Sequence, residues 1–295
     1  MSTLINNDIV YKDWLNLSIH LLWCYDDIIA RGIYSDDHPL IFTHYENSGA
    51  WYIRKGWAKV VYANGEIIAK EGQWMVLKPE NRIQSFAKGT ELISISFKAT
   101  WPDGSHLFEH GLPLILEGVN HPELENKAKP VIDMATEFAP ESWDTRSSLV
   151  SFSKYIQIQS LLYAWLLELQ KSLASKGVQH TGQFRVDDRV LEAIRILYSK
   201  NLRDKLDINS LAEAVFLSKT HLIRLFHKDL KQSPAQYYEN IRIEYAKERL
   251  NVPDSRIKDT AYALGFNHLS HFSRWFKKLS GMSPRAYKDL RNNSR

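Results

Sequence analysis

One stretch of this chain occurs twice, fifty residues apart, and it constrains the rest more than any other feature. Residues 221–238 read HLIRLFHKDLKQSPAQYY and residues 271–288 read HFSRWFKKLSGMSPRAYK. His221/His271, Arg224/Arg274, Phe226/Phe276, Lys228/Lys278, Ser233/Ser283, Pro234/Pro284 and Tyr237/Tyr287 match, and Leu222/Phe272 keeps its apolar character. Each copy reads as a short amphipathic helix, a break, and a Ser-Pro that starts another helix. Two equivalent units joined by something rigid suit a long ligand with a repeat of its own, and duplex DNA is such a ligand. Charge supports this. From residue 183 onward there are 22 Lys and Arg against 13 Asp and Glu, a net of +9, on a remainder of −5. A basic C-terminal third points to an anionic partner for that third.

The whole chain of 295 residues, 44% hydrophobic and 24% charged, is long enough for two ordinary domains with real cores. No apolar run approaches the length of a membrane span, and the N-terminus lacks the build of a signal peptide. The single cysteine, Cys24, excludes an internal disulfide and a multi-cysteine zinc site. The expectation is a reduced, cytoplasmic protein with no membrane partner, no cofactor and no bound metal.

Residues 40–98 form short runs rich in Val, Ile and aromatics, broken by glycines and Pro79. Such spacing predicts an antiparallel barrel or sandwich. VVYANGEI, with Asn64-Gly65 between alternating runs, is a hairpin signal. Helices are expected over 122–139 and 147–174. The second has an apolar stripe at 158, 161, 162, 165, 166 and 169, and outward residues Tyr155, Gln159, Tyr163 and Gln170. This helix suits either a dimer contact or packing on its own barrel. A polar stretch at 175–183 reads as a linker. The expected organisation is α+β in two domains: 1–175, a linker at 176–184, and an all-α domain at 185–295.

Within the second domain, a helix capped by Asp207, a turn at Phe216-Leu217-Ser218 and the first repeated helix make one helix-turn-helix unit, at about 207–230. IKDTAYAL, a turn at Gly265-Phe266-Asn267 and the second repeated helix make another, at about 256–279. In this build the second helix enters the major groove. On the first such helix Leu222, Leu225 and Phe226 face inward and Thr220, Arg224, His227 and Lys228 outward, with His221 and Ile223 on the flanks. On the second, Leu269, Phe272, Trp275, Phe276 and Leu279 face inward, Asn267, Ser270, Arg274 and Lys277 outward, with His271 and Ser273 flanking. Arg can contact guanine O6 and N7 together, Ile223 a thymine methyl, and His, Ser, Thr and Asn base edges or phosphates. Asn267 serves equally as a helix N-cap. Lys228, Lys277 and Lys278 are expected at phosphates.

These residues, LAEAVFLSKTHLIRLFHKDLKQSPAQYYENIRIEYAKERL followed by DTAYALGFNHLSHFSRWFKKLSGMSPRAYK, resemble the AraC/XylS family of transcription regulators over about the last 105 residues. The resemblance implies seven helices in two subdomains, bridged by a long helix at 235–250, with reading helices in successive major grooves. Carried over by position, the first offers Thr220, His221, Ile223 and Arg224, and the second Asn267, Ser270, His271 and Arg274. It also implies RNA polymerase as a partner. Two residues depart from the pattern. Phe216 and Lys231 stand where the family usually has Gly, so the first unit's turn is expected to be distorted.

The first domain resembles the family's cupin-like effector and dimerisation domain through IRKGWAKVV, NG, and EGQWMVLKP followed by RIQSF. Gln84 stands where a metal-binding cupin has a ligand His, which argues against metal catalysis. Aromatic faces with an Arg suit a sugar or similar polyol, and Arg54 aligns with an effector-binding Arg of a sugar-sensing relative. Trp51, Arg54 and Trp74 are the expected pocket. The expected function is a DNA-binding regulator, more an activator than a repressor, working as a homodimer on double-stranded DNA with a small-molecule effector. The alternative is a cupin-type enzyme with a helical appendage.

Overall fold

In the computed structural model, residues 11–28, 40–42, 47–139, 145, 148–181, 186–252 and 255–292 are described. The chain divides into two compact units, Met1–Phe184 and Arg185–Arg295.

Among its described residues the first unit has a turn of helix, α1 (Tyr11–Trp14), and nine strands. They are β1 (Ser18–Ile28), β2 (Leu40–Phe42), β3 (Ser48–Lys55), β4 (Trp57–Tyr62), β5 (Gly65–Lys70), β6 (Gln73–Leu77), β7 (Arg82–Phe86), β8 (Glu91–Thr100) and β9 (Leu114–Glu117). All pairings are antiparallel, in one sheet of order β1-β8-β3-β6-β9 and another of order β2-β7-β4-β5. The hairpin predicted at Asn64-Gly65 joins β4 to β5, with Tyr62 opposite Gly65. Side chains alternate across a strand, so Trp51, Ile53, Met75, Leu77 and Leu92 of one sheet meet Ala58, Val60, Ala69 and Phe86 of the other in a shared core.

Two strands have no counterpart in the sequence reading. β1 contains His20, Trp23, Asp26 and Asp27 and bulges between Leu21 and Trp23, which interrupts the period-two pattern. Four-residue β9 is too short to show a period.

Helices α2 (Pro122–Phe138) and α3 (Phe152–Ala174) pack on each other and on β1. The start of α3 is Phe152 rather than 147, because Ser151 caps it by accepting from the Lys154 N–H. Its inward stripe of Ile158, Leu162, Trp165, Leu166, Leu169 and Leu173 is buried. Cys24 Sγ lies 3.9 Å from the Val131 carbonyl of α2, and burial pushes its thiol up to about 12, which leaves it inert as a nucleophile.

The expected linker at 176–184 is held against the first unit through residue 181. Val178 is buried where a Cβ on Gly111 would collide with it. The Thr181 N–H donates to the Leu107 carbonyl (2.8 Å), and its hydroxyl donates to the His106 carbonyl (2.6 Å) and accepts from Trp101 Nε1 (3.2 Å). Residues 182–184 lie outside the described residues.

The second unit is helical: α4 (Asp188–Ser199), α5 (Ile208–Ala214), α6 (Lys219–Leu230), α7 (Pro234–Asn251), α8 (Ile257–Ala263), α9 (Leu269–Ser280) and α10 (Pro284–Asn292). Ser233 and Gln236 form the capping box read from the sequence and launch α7, with Pro234 in its first turn.

Candidate nucleic-acid interface

α5 and α6 make the first helix-turn-helix and α8 and α9 the second. The turns share one hydrogen-bond pattern. Phe216 N–H donates to Glu213 O (3.0 Å) and Leu217 N–H to Ala212 O (2.9 Å); Gly265 N–H donates to Tyr262 O (3.0 Å) and Phe266 N–H to Ala261 O (3.0 Å). Phe216 holds φ 57° and Gly265 φ 79°, so both residues sit in the left-handed region. The distortion expected at Phe216 is absent, because the hydrogen bonds donated by the Phe216 and Leu217 N–H groups fix the turn despite the Cβ. Lys231 (φ 56°) and Gly281 (φ 81°) repeat the contrast where α6 and α9 end.

The exposed faces fall close to the expected split. On α6, Leu222, Leu225 and Phe226 are buried, Thr220, Arg224, His227 and Lys228 exposed, and His221 and Ile223 half-buried. On α9, Phe272 and Phe276 are buried, Ser270, His271, Arg274, Lys277 and Lys278 exposed, and Asn267 stands exposed just before the helix. Leu269, expected inward, is 47% exposed, since it occupies the first helical position ahead of the buried stripe. The N-cap of α9 is His268 and not Asn267, with no side-chain capping bond, whereas Ser218 caps α6 by accepting from the His221 N–H (3.3 Å). The turns are offset by 49 residues and the reading helices by 50, so Asn267 belongs to the extra residue of the second turn. Arg224 and Arg274 occupy the same helical position, each exposed and flanked by further donors.

Residues 211–289 match the helix-turn-helix domain family. Over 89 residues the chain is 36% identical to the HTH-type transcriptional regulator YobQ of Bacillus subtilis, covering 30% of this chain and 37% of that protein. Over 103 residues it is 34% identical to the arabinose operon regulatory protein of Escherichia coli, covering 35% of each. The C-terminal unit thus carries a helix-turn-helix domain similar to those of transcriptional regulators. The matches span a little over a third of those two relatives' length. The crystal structure of unsaturated fatty acid-bound ToxT from Vibrio cholerae aligns with 93% of this chain and 95% of its own, at 15% identity and a TM-score of 0.46.

Ahead of the helix-turn-helix domain, the pocket expected from Trp51, Arg54 and Trp74 does not assemble. Trp51 lies in the core between the sheets, its ring 5.2 Å from that of Phe86. Arg54 is three residues along β3 and therefore faces the other side. There its Nη1 donates to Asp26 Oδ1 (2.6 Å) and its Nη2 to Glu125 Oε1 (3.2 Å), which ties β1, β3 and α2 together. Trp74 stacks on Tyr52, centroids 5.2 Å apart, also away from Trp51, and is fully buried. Between the sheets, the residues that share the face of Trp51 include buried Arg82, Gln84, Ser94 and Ser96. Arg82 Nε donates to Gln84 Oε1 (3.5 Å) and its Nη1 to the Lys78 carbonyl (3.3 Å). The signal for these was the alternation in Arg82-Ile83-Gln84-Ser85-Phe86, which puts an Arg and a Gln on the same inward face as Phe86.

Proposed function

We propose that the chain is a sequence-specific DNA-binding transcription regulator that reads two successive major grooves through α6 and α9. The observation that carries this is the pair of like-placed, exposed arginines, Arg224 and Arg274, on the second helices of two helix-turn-helix units. Thr220, His221, Ile223, Asn267, Ser270 and His271 complete the readers, and Lys228, Lys277 and Lys278 meet phosphates. The relatives it matches over its C-terminal third are transcriptional regulators, which supports this reading over that of a barrel enzyme. Selection of the full chain on random duplexes tests the proposal. It should enrich a bipartite site with half-sites about one helical turn apart; recovery of unrelated sequences overturns it.

The small-molecule side belongs to the first unit. The aromatic Trp51 beside Arg82, Gln84, Ser94 and Ser96 supports an effector site between the sheets for a sugar, sugar acid or related metabolite, which stacks on a ring and hydrogen-bonds at its rim. In this reading the effector alters how the DNA-reading unit is presented, and the chain works as an activator through RNA polymerase. α3 supports a homodimer, because Phe152, Tyr155, Ile156, Tyr163 and Leu167 remain exposed opposite the stripe it buries internally. A thermal-shift titration with sugars, sugar acids and polyols should raise the midpoint with RT ln(1 + [L]/Kd). The reading fails if all leave it unmoved.

A further inference from the structure

Within the C-terminal unit, helix α7 is one connection between the two helix-turn-helix units, and the loop between α4 and α5 supplies a second. The Tyr238 hydroxyl on α7 lies 3.2 Å from the Asn201 carbonyl and 3.0 Å from the Asp204 carbonyl, and so pins this loop, which leads into the first helix-turn-helix, at both ends. Between those points Leu202 packs against the core of the second unit, formed by Ile243, Ala246, Leu250, Ala261, Leu264, Phe272 and Phe276. The next residue touches the second unit's turn. A Cβ on Gly265 would lie 2.6 Å from the Arg203 carbonyl oxygen, so only a glycine permits this approach.

From the other side Arg242 of α7 grips the same turn. Its Nη2 donates to the Leu264 carbonyl (2.8 Å), and its guanidinium carbon stands 5.3 Å from the ring centres of both Phe266 and Trp275. Glu239, one turn earlier on α7, accepts from Arg242 Nη1 (2.8 Å) through one oxygen and from Trp275 Nε1 through the other. Trp275 adjoins Arg274 on the reading helix. The turn that aims α9 is therefore held between the loop that leads into the first helix-turn-helix and a side chain of the bridging helix.

We infer that Tyr238, Leu202 and Arg242 are positioning residues that lock the spacing and rotational phase of the two reading helices, so that the protein accepts one separation of its half-sites. A single helix of 18 residues can bend over its length of roughly 27 Å. A second connection at the turn removes that freedom. None of the three side chains lies on the exposed faces of α6 or α9, so their effect on DNA reaches it only through the relative placement of the units.

The inference rests on the DNA-reading function proposed above, and the test separates the two. Duplexes carrying the selected bipartite site are compared with versions in which one base pair is added or removed between the halves, and with each half alone. The wild-type chain should lose about tenfold or more in affinity when the spacing changes. In Tyr238→Phe and Leu202→Ala that penalty should shrink severalfold, while binding to each isolated half-site stays at the wild-type level. Arg242→Lys, which keeps the charge but not the planar fork, should behave likewise. Tyr238→Phe keeps the buried ring and decides the matter if Leu202→Ala fails to fold. An unchanged spacing penalty in Tyr238→Phe and Arg242→Lys overturns the inference, as does an equal loss on isolated halves. Failure of the wild type to select any bipartite site overturns the functional reading instead.

Discussion

At the turn of the first unit a phenylalanine stands at φ 57°, and at the turn of the second a glycine stands at φ 79°. The hydrogen bonds around them are the same, yet the surroundings are not. Phe216 is 94% exposed and its Cβ meets nothing that prevents the turn; Gly265 has the Arg203 carbonyl where a Cβ would go. The first turn therefore carries only the backbone cost of a left-handed residue, about 1 kcal/mol or a little more. The second cannot carry any side chain at all. Two copies of one motif can thus tolerate different residues at the same position, according to whether a neighbour has been packed against it.

Substitutions at these turns should separate the two costs. Gly265→Ala adds strain at positive φ and a collision with backbone, and should destabilise the second unit by about 2–4 kcal/mol; hydrogen exchange in α8 and α9 would locate the loss. A loss below about 1 kcal/mol would mean that the Arg203 contact gives way easily. On the reading faces, Arg274→Ala should lower specific affinity by about 1–3 kcal/mol and relax one base position. The same measurement on Arg224→Ala tells whether both units read with equal weight. A footprint and sequence preference unaltered by Arg274→Ala would remove that residue from the readers.

Smaller effects sharpen the contrast. Phe216→Gly relieves the left-handed strain and should stabilise the first unit by up to about 1 kcal/mol in urea unfolding, whereas a loss would show that the ring has a stabilising contact. At the starts of the reading helices, α6 has its Ser218 cap and α9 has none. His268→Ser should stabilise α9 by roughly 0.5–1 kcal/mol, read as slower exchange in its first turn.

The smallest is a dependence on acid at the start of α4. The Asp187 carboxyl caps α4, and the Arg189 side chain bonded to it holds it at about 2, below its ordinary 3.8. A depressed carboxylate contributes stability that is present above pH 3.8 and lost as the pH falls through 2. Unfolding measured across that window should show a slope that Asp187→Asn removes. An unchanged slope would assign the acid sensitivity to other carboxylates.

How much of this was legible in the sequence follows from how local each signal is. The repeated helices, the Ser233/Gln236 capping box and the exposed Arg224 and Arg274 are fixed by spacings of three and four residues, which a helix imposes without help from the rest of the chain. Leu269 escaped because position within the first turn, not periodicity, sets its exposure. In the N-terminal unit, residues 1–184, the signals were weaker. β1 hides behind a bulge, and the pocket expected at Trp51, Arg54 and Trp74 ignored strand parity, since residues 51 and 54 of one strand point to opposite faces. Arg82 and Gln84 could have been found by that same parity. The clasp of Arg203 on Gly265 could not, because it joins residues more than sixty positions apart in sequence.

The unequal turns bear on direction. The second unit has one more residue before its reading helix, and the two exposed sets differ: Thr220, His221, Ile223 and Arg224 against Asn267, Ser270, His271 and Arg274. Both belong to one chain, and no twofold axis relates them. A duplex read this way has a head and a tail. Under the proposed function, inverting the site turns the DNA-reading domain end for end, so that domain works as a signpost with an orientation along the DNA.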